Sequence, residues 1–213
     1  MDLLTALRTH RILAIVRGGD PDAALAAVLA LADEGVHLIE ISLSGNDALG
    51  VLARARAALG PGAALGSGTV LTADDAHAAH RAGADFVVTP GLGHGVSAAR
   101  ALGLPVLAGV MTPTEIITAQ RLGAAALKLF PASEAGGPGY LKALSGPFPT
   151  APFVPVGGVG AEEAAAYLAR GAVAVGVGSP LVGDAADGGS TDALRARARA
   201  FLDVVRPYTR DAG

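Results

Sequence analysis

One unit recurs along this chain and decides most of what it can become. A short apolar run meets Gly, Thr or Pro punctuation, then an Ala-rich stretch ends at a glycine and the next run begins. The runs are 12–17, 38–43, 64–70, 86–89, 106–110, 126–130, 153–157 and 174–178, eight in all. Near-continuous apolar strands are what a parallel sheet requires when helices cover its outer face. The helix boundaries agree with this reading. Asp20 before Pro21 predicts an N-cap with proline in the first turn, and Thr112-Pro113-Thr114-Glu115 predicts a capping box. Asp74 and Asp75 follow Thr72, where a helix dipole favours acids. Gly35, Gly83, Gly103, Gly123 and Gly171 each precede a new run, the usual left-handed helix stop. Eight evenly spaced units predict an α/β chain closed as a (β/α)8 TIM barrel, one domain over 1–213. A doubly wound open sheet is the alternative, and the even spacing without a composition break argues against it. A short amphipathic helix opens the chain, and 183–190 reads as a linker that introduces a last helix over 191–205.

Composition narrows the function. With 51% hydrophobic residues the chain can build a core, which excludes disorder. A net charge of -3 supplies no basic field, so neither nucleic acid nor an anionic membrane surface is an expected partner. There is no cysteine, hence no disulfide, thiolate nucleophile or cysteine metal site. The longest charge-free stretch, 143–161, carries four prolines and cannot be a spanning helix. No basic-then-apolar leader opens the sequence, and the expected location is the cytoplasm.

In such a barrel the chemistry sits where strands end and βα loops begin. Two charges stand out there. Of sixteen basic residues only Lys128 and Lys142 are lysines, and Lys128 is the sole polar residue in Ala126-Leu127-Lys128-Leu129-Phe130. Loss of hydration lowers an ammonium's pKa, and a neutral amine can attack a ketone to form a Schiff base. An arginine cannot, because it stays protonated. Glu40 is likewise a lone charge, within Leu38-Ile39-Glu40-Ile41-Ser42-Leu43. Buried carboxylates are rare unless paired, and imine chemistry needs a proton shuttle. The plain alternative for both is a snorkelling lysine or a structural ion pair.

Glycine marks a second group. Gly157 and Gly158 end run seven ahead of a helix, and Gly178 with Ser179 ends run eight. Bare glycine backbone lets N–H groups approach an anion, and these two loops are the recurrent phosphate site of this architecture. Gly66-Ser67-Gly68-Thr69 is a weaker relative. His77 and His80, three apart on a helix, lack a third ligand and read as a solvated face, so no metal is expected. His94 sits in a turn over 91–95, and Arg195, Arg197 and Arg199 read as an exposed helix face.

Glu40 in its strand, Gly66-Ser67-Gly68-Thr69-Val70, Val88-Thr89-Pro90-Gly91, Lys128-Leu129-Phe130-Pro131-Ala132, Gly157-Gly158 and Gly178-Ser179 occur in order. Together they resemble the class I aldolases that cleave 2-keto-3-deoxy-6-phospho-aldonates, the KDPG/KHG aldolase family with its phosphogalactonate branch. The resemblance implies a (β/α)8 barrel, a homotrimer, no metal or organic cofactor, and retro-aldol cleavage to pyruvate and glyceraldehyde 3-phosphate. By position it implies that Lys128 is the Schiff-base lysine and Glu40 the general acid/base. It implies that Thr69 and Pro90 line the pyruvate carboxylate pocket and that Phe130 walls the imine. Gly157, Gly158, Gly178 and Ser179 match the phosphate site, and Arg17 is an anion partner. The chain departs from the phosphogluconate branch in two places. It reads Leu43-Ser44-Gly45-Asn46 where that branch continues into an arginine, and Val156 where that branch carries threonine. Arg17 with Val156 is closer to the phosphogalactonate branch and leans toward the galactonate epimer.

Two rival readings share the phosphate loops: a phosphosugar isomerase or epimerase with Glu40 as base, and a non-catalytic phosphosugar-binding barrel. Neither would form a covalent adduct. A metal-dependent aldolase lacks a ligand cluster in the sequence.

Overall fold

The computed structural model describes residues 1–209; the last four residues of the predicted domain, 210–213, lie outside the described residues. Eight parallel strands alternate with helices. The strands are β1 (Ile12–Val16), β2 (Leu38–Ser42), β3 (Ala64–Gly68), β4 (Phe86–Val88), β5 (Val106–Val110), β6 (Ala126–Leu129), β7 (Phe153–Pro155) and β8 (Val175–Val177). The helices are α1 (Leu3–His10), α2 (Pro21–Asp33), α3 (Ala48–Leu59), α4 (Ala73–Arg81), α5 (His94–Ala101), α6 (Pro113–Arg121), α7 (Gly137–Ser145), α8 (Ala161–Ala169), α9 (Ser179–Val182) and α10 (Thr191–Val205). The ladder runs β7-β6-β5-β4-β3-β2-β1-β8. One bridge, Val156 to Gly176, and the hydrogen bond from Val173 N–H to the Phe153 carbonyl at 2.9 Å close the ring between β7 and β8. The barrel is therefore closed, with its thinnest seam at β7/β8.

Alternation along each strand sorts the side chains into two cores. Ile12, Ala14, Val16, Ile39, Ile41, Leu127 and Leu129 face outward against the helices. Leu13, Ile15, Leu38, Phe86, Val88, Leu107, Val154 and Val156 face inward. Leu3 and Leu7 of α1 join this inner cluster and plug the barrel floor.

The predicted punctuation forms. Asp20 accepts from the N–H groups of Asp22 and Ala23, and Thr112 with Glu115 makes a reciprocal capping box. Thr72 and Asp75 make another. The five stop glycines all have positive φ, between 75° and 93°. The strands end one or two residues before several predicted runs do. Arg17, Thr69, Phe130, Gly157 and Gly178 leave the ladder and turn over the barrel mouth. Three expectations need correction. The segment 183–190 is not a simple linker: it holds the 3-10 turn Ala185–Asp187, whose two alanines are buried against α2. His94 begins α5 behind the N-cap Gly93, rather than sitting in a turn. The arginines of α10 are not one solvated face. Arg195 and Arg199 pair with Glu34, and Arg197 donates to the Leu181 and Val182 carbonyls, both at 2.7 Å.

Candidate active site

Glu40 and Lys128 share the inward parity of their strands and are nearly sealed from solvent, at 1% and 6% exposure. Glu40 lies opposite Gly66 in the β2/β3 register, and Lys128 opposite Gly109 in β5/β6. Space for these two side chains comes from missing ones. A Cβ on Gly68 would overlap Glu40 Oε1, so only glycine leaves the carboxylate where it lies. A Cβ on Gly109 would overlap the Pro90 backbone, so glycine there lets the β4–α5 turn lean over the mouth beside Lys128.

Burial dominates the electrostatics of the pair. Desolvation lowers the Lys128 pKa; Glu40 opposes that drop and Arg17 reinforces it. Desolvation raises the Glu40 pKa against the pull of Lys128 and Arg17. Each shift is in the direction that favours the neutral form of its group. Glu40 Oε2 is buried and has no hydrogen-bond partner among the described residues. Lys128 Nζ lies 4.9 Å from the centroid of the Phe130 ring, close enough for the ring face to favour a cation at that nitrogen.

A cavity of about 530 Å³ opens at the barrel mouth among the β1, β6, β7 and β8 ends, next to Phe130, and neither Glu40 nor Lys128 lines it. Arg17, Phe130, Gly157, Gly158, Gly178 and Ser179, six of the residues read from the sequence, all line it. Arg17 makes no hydrogen bond or ion pair with other described residues. Gly157 and Gly158 have φ of 102° and 69°, a left-handed turn that suits glycine, and α8 begins behind it without a side-chain cap. The loop after β6 is strapped to this turn: Ala132 N–H donates to Val156 and Ser133 N–H to Gly157, at 2.8 and 3.2 Å. Thr69 and Pro90 do not line the cavity. Thr69 stands at the end of β3 next to Gly68, and Pro90 borders a shallow depression with Val70, Leu71 and Leu92. Two features escaped the sequence reading. Asp187 lines the cavity and accepts from Gly19 N–H at 2.5 Å, though its segment looked like a linker. Ser42 and Ser44 join Thr69 in a row of hydroxyls, and serine in a strand or turn gives no signal of its own.

A family model described as KDPG and KHG aldolase matches residues 3–194. The chain belongs to the KDPG and KHG aldolase family. Its relatives within this aldolase family include a 2-dehydro-3-deoxy-6-phosphogalactonate aldolase of Escherichia coli K12, 38% identical over 199 residues, with 92% of this chain and 94% of the relative covered. A 2-dehydro-3-deoxy-phosphogluconate aldolase of Pseudomonas aeruginosa is 40% identical over 166 residues, 78% of this chain and 75% of that one. Among solved structures, a KDPG aldolase from Legionella pneumophila, with pyruvate captured at low pH as a covalent carbinolamine intermediate, superposes with a TM-score of 0.81. It is 26% identical and covers 97% of this chain and 98% of that one. As a member of the aldolase family, the chain is a carbon–carbon lyase.

Proposed function

We propose that this chain is a class I aldolase that cleaves a 2-keto-3-deoxy-6-phospho-aldonate, the gluconate or galactonate epimer, to pyruvate and glyceraldehyde 3-phosphate. The observation that carries the reading is a buried, desolvated Lys128 electrostatically coupled to a buried Glu40, with Phe130 linking Lys128 to a glycine-walled cavity that also holds Arg17. Neutral Lys128 attacks the C2 ketone, and Glu40 donates the proton with which the carbinolamine hydroxyl leaves as water. The resulting protonated imine lies against the Phe130 ring, whose face favours the cation over the neutral amine. Glu40, now a carboxylate, takes the C4 hydroxyl proton. The C3–C4 bond then breaks, its electron pair passes into the imine to give an enamine, and the C4 carbonyl leaves as the aldehyde. Glu40 returns the proton to C3, and hydrolysis frees pyruvate and the amine. Gly157, Gly158, Gly178, Ser179 and Arg17 hold the phosphate end, so remote binding orients the bond to be broken. Thr69 and the Pro90 turn take the carboxylate end.

We read the whole chain as one barrel domain working as a cytoplasmic homotrimer. Large apolar side chains left exposed at Leu71, Met111 and Ile117, on the β3–α4 and β5–α6 segments, support burial against further copies. A phosphorylated keto acid is too highly charged to cross a bilayer unaided, so its aldolase belongs where the substrate is made. Light scattering on the purified chain reads the subunit number, and three is expected.

Borohydride reduction in the presence of pyruvate tests the chemistry. Mass spectrometry should find a reduced pyruvyl adduct on Lys128. No adduct would favour an isomerase or a binding barrel.

A further inference from the structure

The mouth of the barrel holds a hydroxyl row whose proton count leaves one donor unspent. Ser42 Oγ lies 2.9 Å from Ser44 Oγ and 2.8 Å from Thr69 Oγ1. Three hydroxyls carry three protons, and the two links use two of them. Ser42 is fully buried, and a buried hydroxyl that wastes its proton is costly, so Ser42 donates to one neighbour and accepts from the other. The spare proton is therefore always at an end of the row, Ser44 or Thr69, and both ends reach solvent. Thr69 holds φ at 58°, a left-handed conformation that branched side chains avoid. Such strain persists where the surroundings enforce it, and the buried Ser42 contact is one of them. Thr69 directly follows Gly68, over whose bare Cα the Glu40 carboxylate rests. Segments 42–46 and 66–70 contain neither lysine nor arginine, and Arg17 stands in the cavity with the phosphate glycines.

We infer that Ser42 and Ser44 are positioning residues for the keto acid's carboxylate, aligning the hydroxyl row so that its one free proton points from Thr69 at that carboxylate. This rests on the Schiff-base reading above. An anion at Thr69 draws the row into one sense, in which Ser44 donates to Ser42, Ser42 to Thr69, and Thr69 outward. Each bond polarises the next, so the carboxylate is recognised by a relay of neutral donors. Ser42 is the link whose loss breaks the relay, and Ser44 feeds its far end.

Borohydride trapping on the full chain tests this with two ketones of like shape: pyruvate, and methyl pyruvate, which lacks the anionic carboxylate. In Ser42→Ala the pyruvate concentration giving half-maximal adduct should rise about tenfold, and in Ser44→Ala about threefold, as hydrogen bonds to a charged group predict. Methyl pyruvate should change by less than about twofold, because a neutral ester gains little from the relay. An equal loss for both ketones would mean a purely structural role and overturns the inference, as does no loss for either. Should Ser42→Ala fail to fold, Ser44→Ala, at an exposed position, decides alone. Failure of the unsubstituted chain to trap pyruvate would overturn the aldolase reading and this inference with it. Normal trapping with unchanged selectivity in the variants overturns only the latter.

Discussion

Alanine at Gly68 would drive a methyl group into the Glu40 carboxylate, and alanine at Gly66 would drive one into the Phe86 ring. The two substitutions look alike in the sequence and should fail differently. At Gly68 the obstructed atoms end a flexible side chain, so the fold should survive while Glu40 is displaced. A misplacement of that size costs roughly 10²-fold in kcat, with melting temperature little changed. At Gly66 a fully buried ring must move, so overpacking should cost about 1–3 kcal/mol in denaturant unfolding. Glu40→Gln tests the electrostatics. Glu40 is the charged neighbour that raises the Lys128 pKa, so at pH values where Glu40 is ionised, removing its charge should let that pKa fall further. The pH at which pyruvate trapping reaches half its plateau should then move down relative to the unsubstituted chain. Lys128→Ala should abolish turnover and leave the far-ultraviolet circular dichroism intact. At this scale, Lys128 and Glu40 were legible because a lone charge in an apolar strand is costly and so needs a reason. Ser42 was not: its partner Thr69 is twenty-seven residues away, and only the β2/β3 register brings the two hydroxyls together.

The first helix shows how an element far from the chemistry is held. Leu3 and Leu7 of α1 fill the floor of the barrel, and its last residue, His10, lies tilted against His37 with ring centroids 4.6 Å apart. Truncating Leu7 to alanine should cost about 2–5 kcal/mol, read from denaturant unfolding. Burial, helped by the neighbouring His37, lowers the His10 pKa below its unfolded value of 6.5. The unfolded chain therefore binds this proton first as pH drops. Stability is intact above about pH 6.5 and is lost as pH falls through the window down to the lowered folded value. Thermal melts at stepped pH should show that loss, and His10→Gln should flatten it. Strands and helices were readable because period, caps and glycine stops all pointed one way. What the pattern hid was how runs end. Apolar character continues past the last ladder pair at 130 and 156, because the cavity wall is itself partly apolar. The turn at 185–187 stayed hidden for a related reason: alanine and glycine read as a linker whether they pack or not.

At the scale of the whole molecule, eight repeats dictated closure, but repetition says nothing about which junction is weakest. Seven junctions are continuous ladders, whereas β7 and β8 meet through one bridge and one further hydrogen bond. The two glycine turns that flank the cavity rise from those same two strands. Amide exchange at 173–177 should accordingly be faster than along β2 and β3, and inorganic phosphate should slow it. An occupant of the cavity thus acts as a rivet across the one stave joint left unglued. Heat resistance should climb with phosphate concentration, so that the catalyst is sturdiest while it is at work and loosest while it waits.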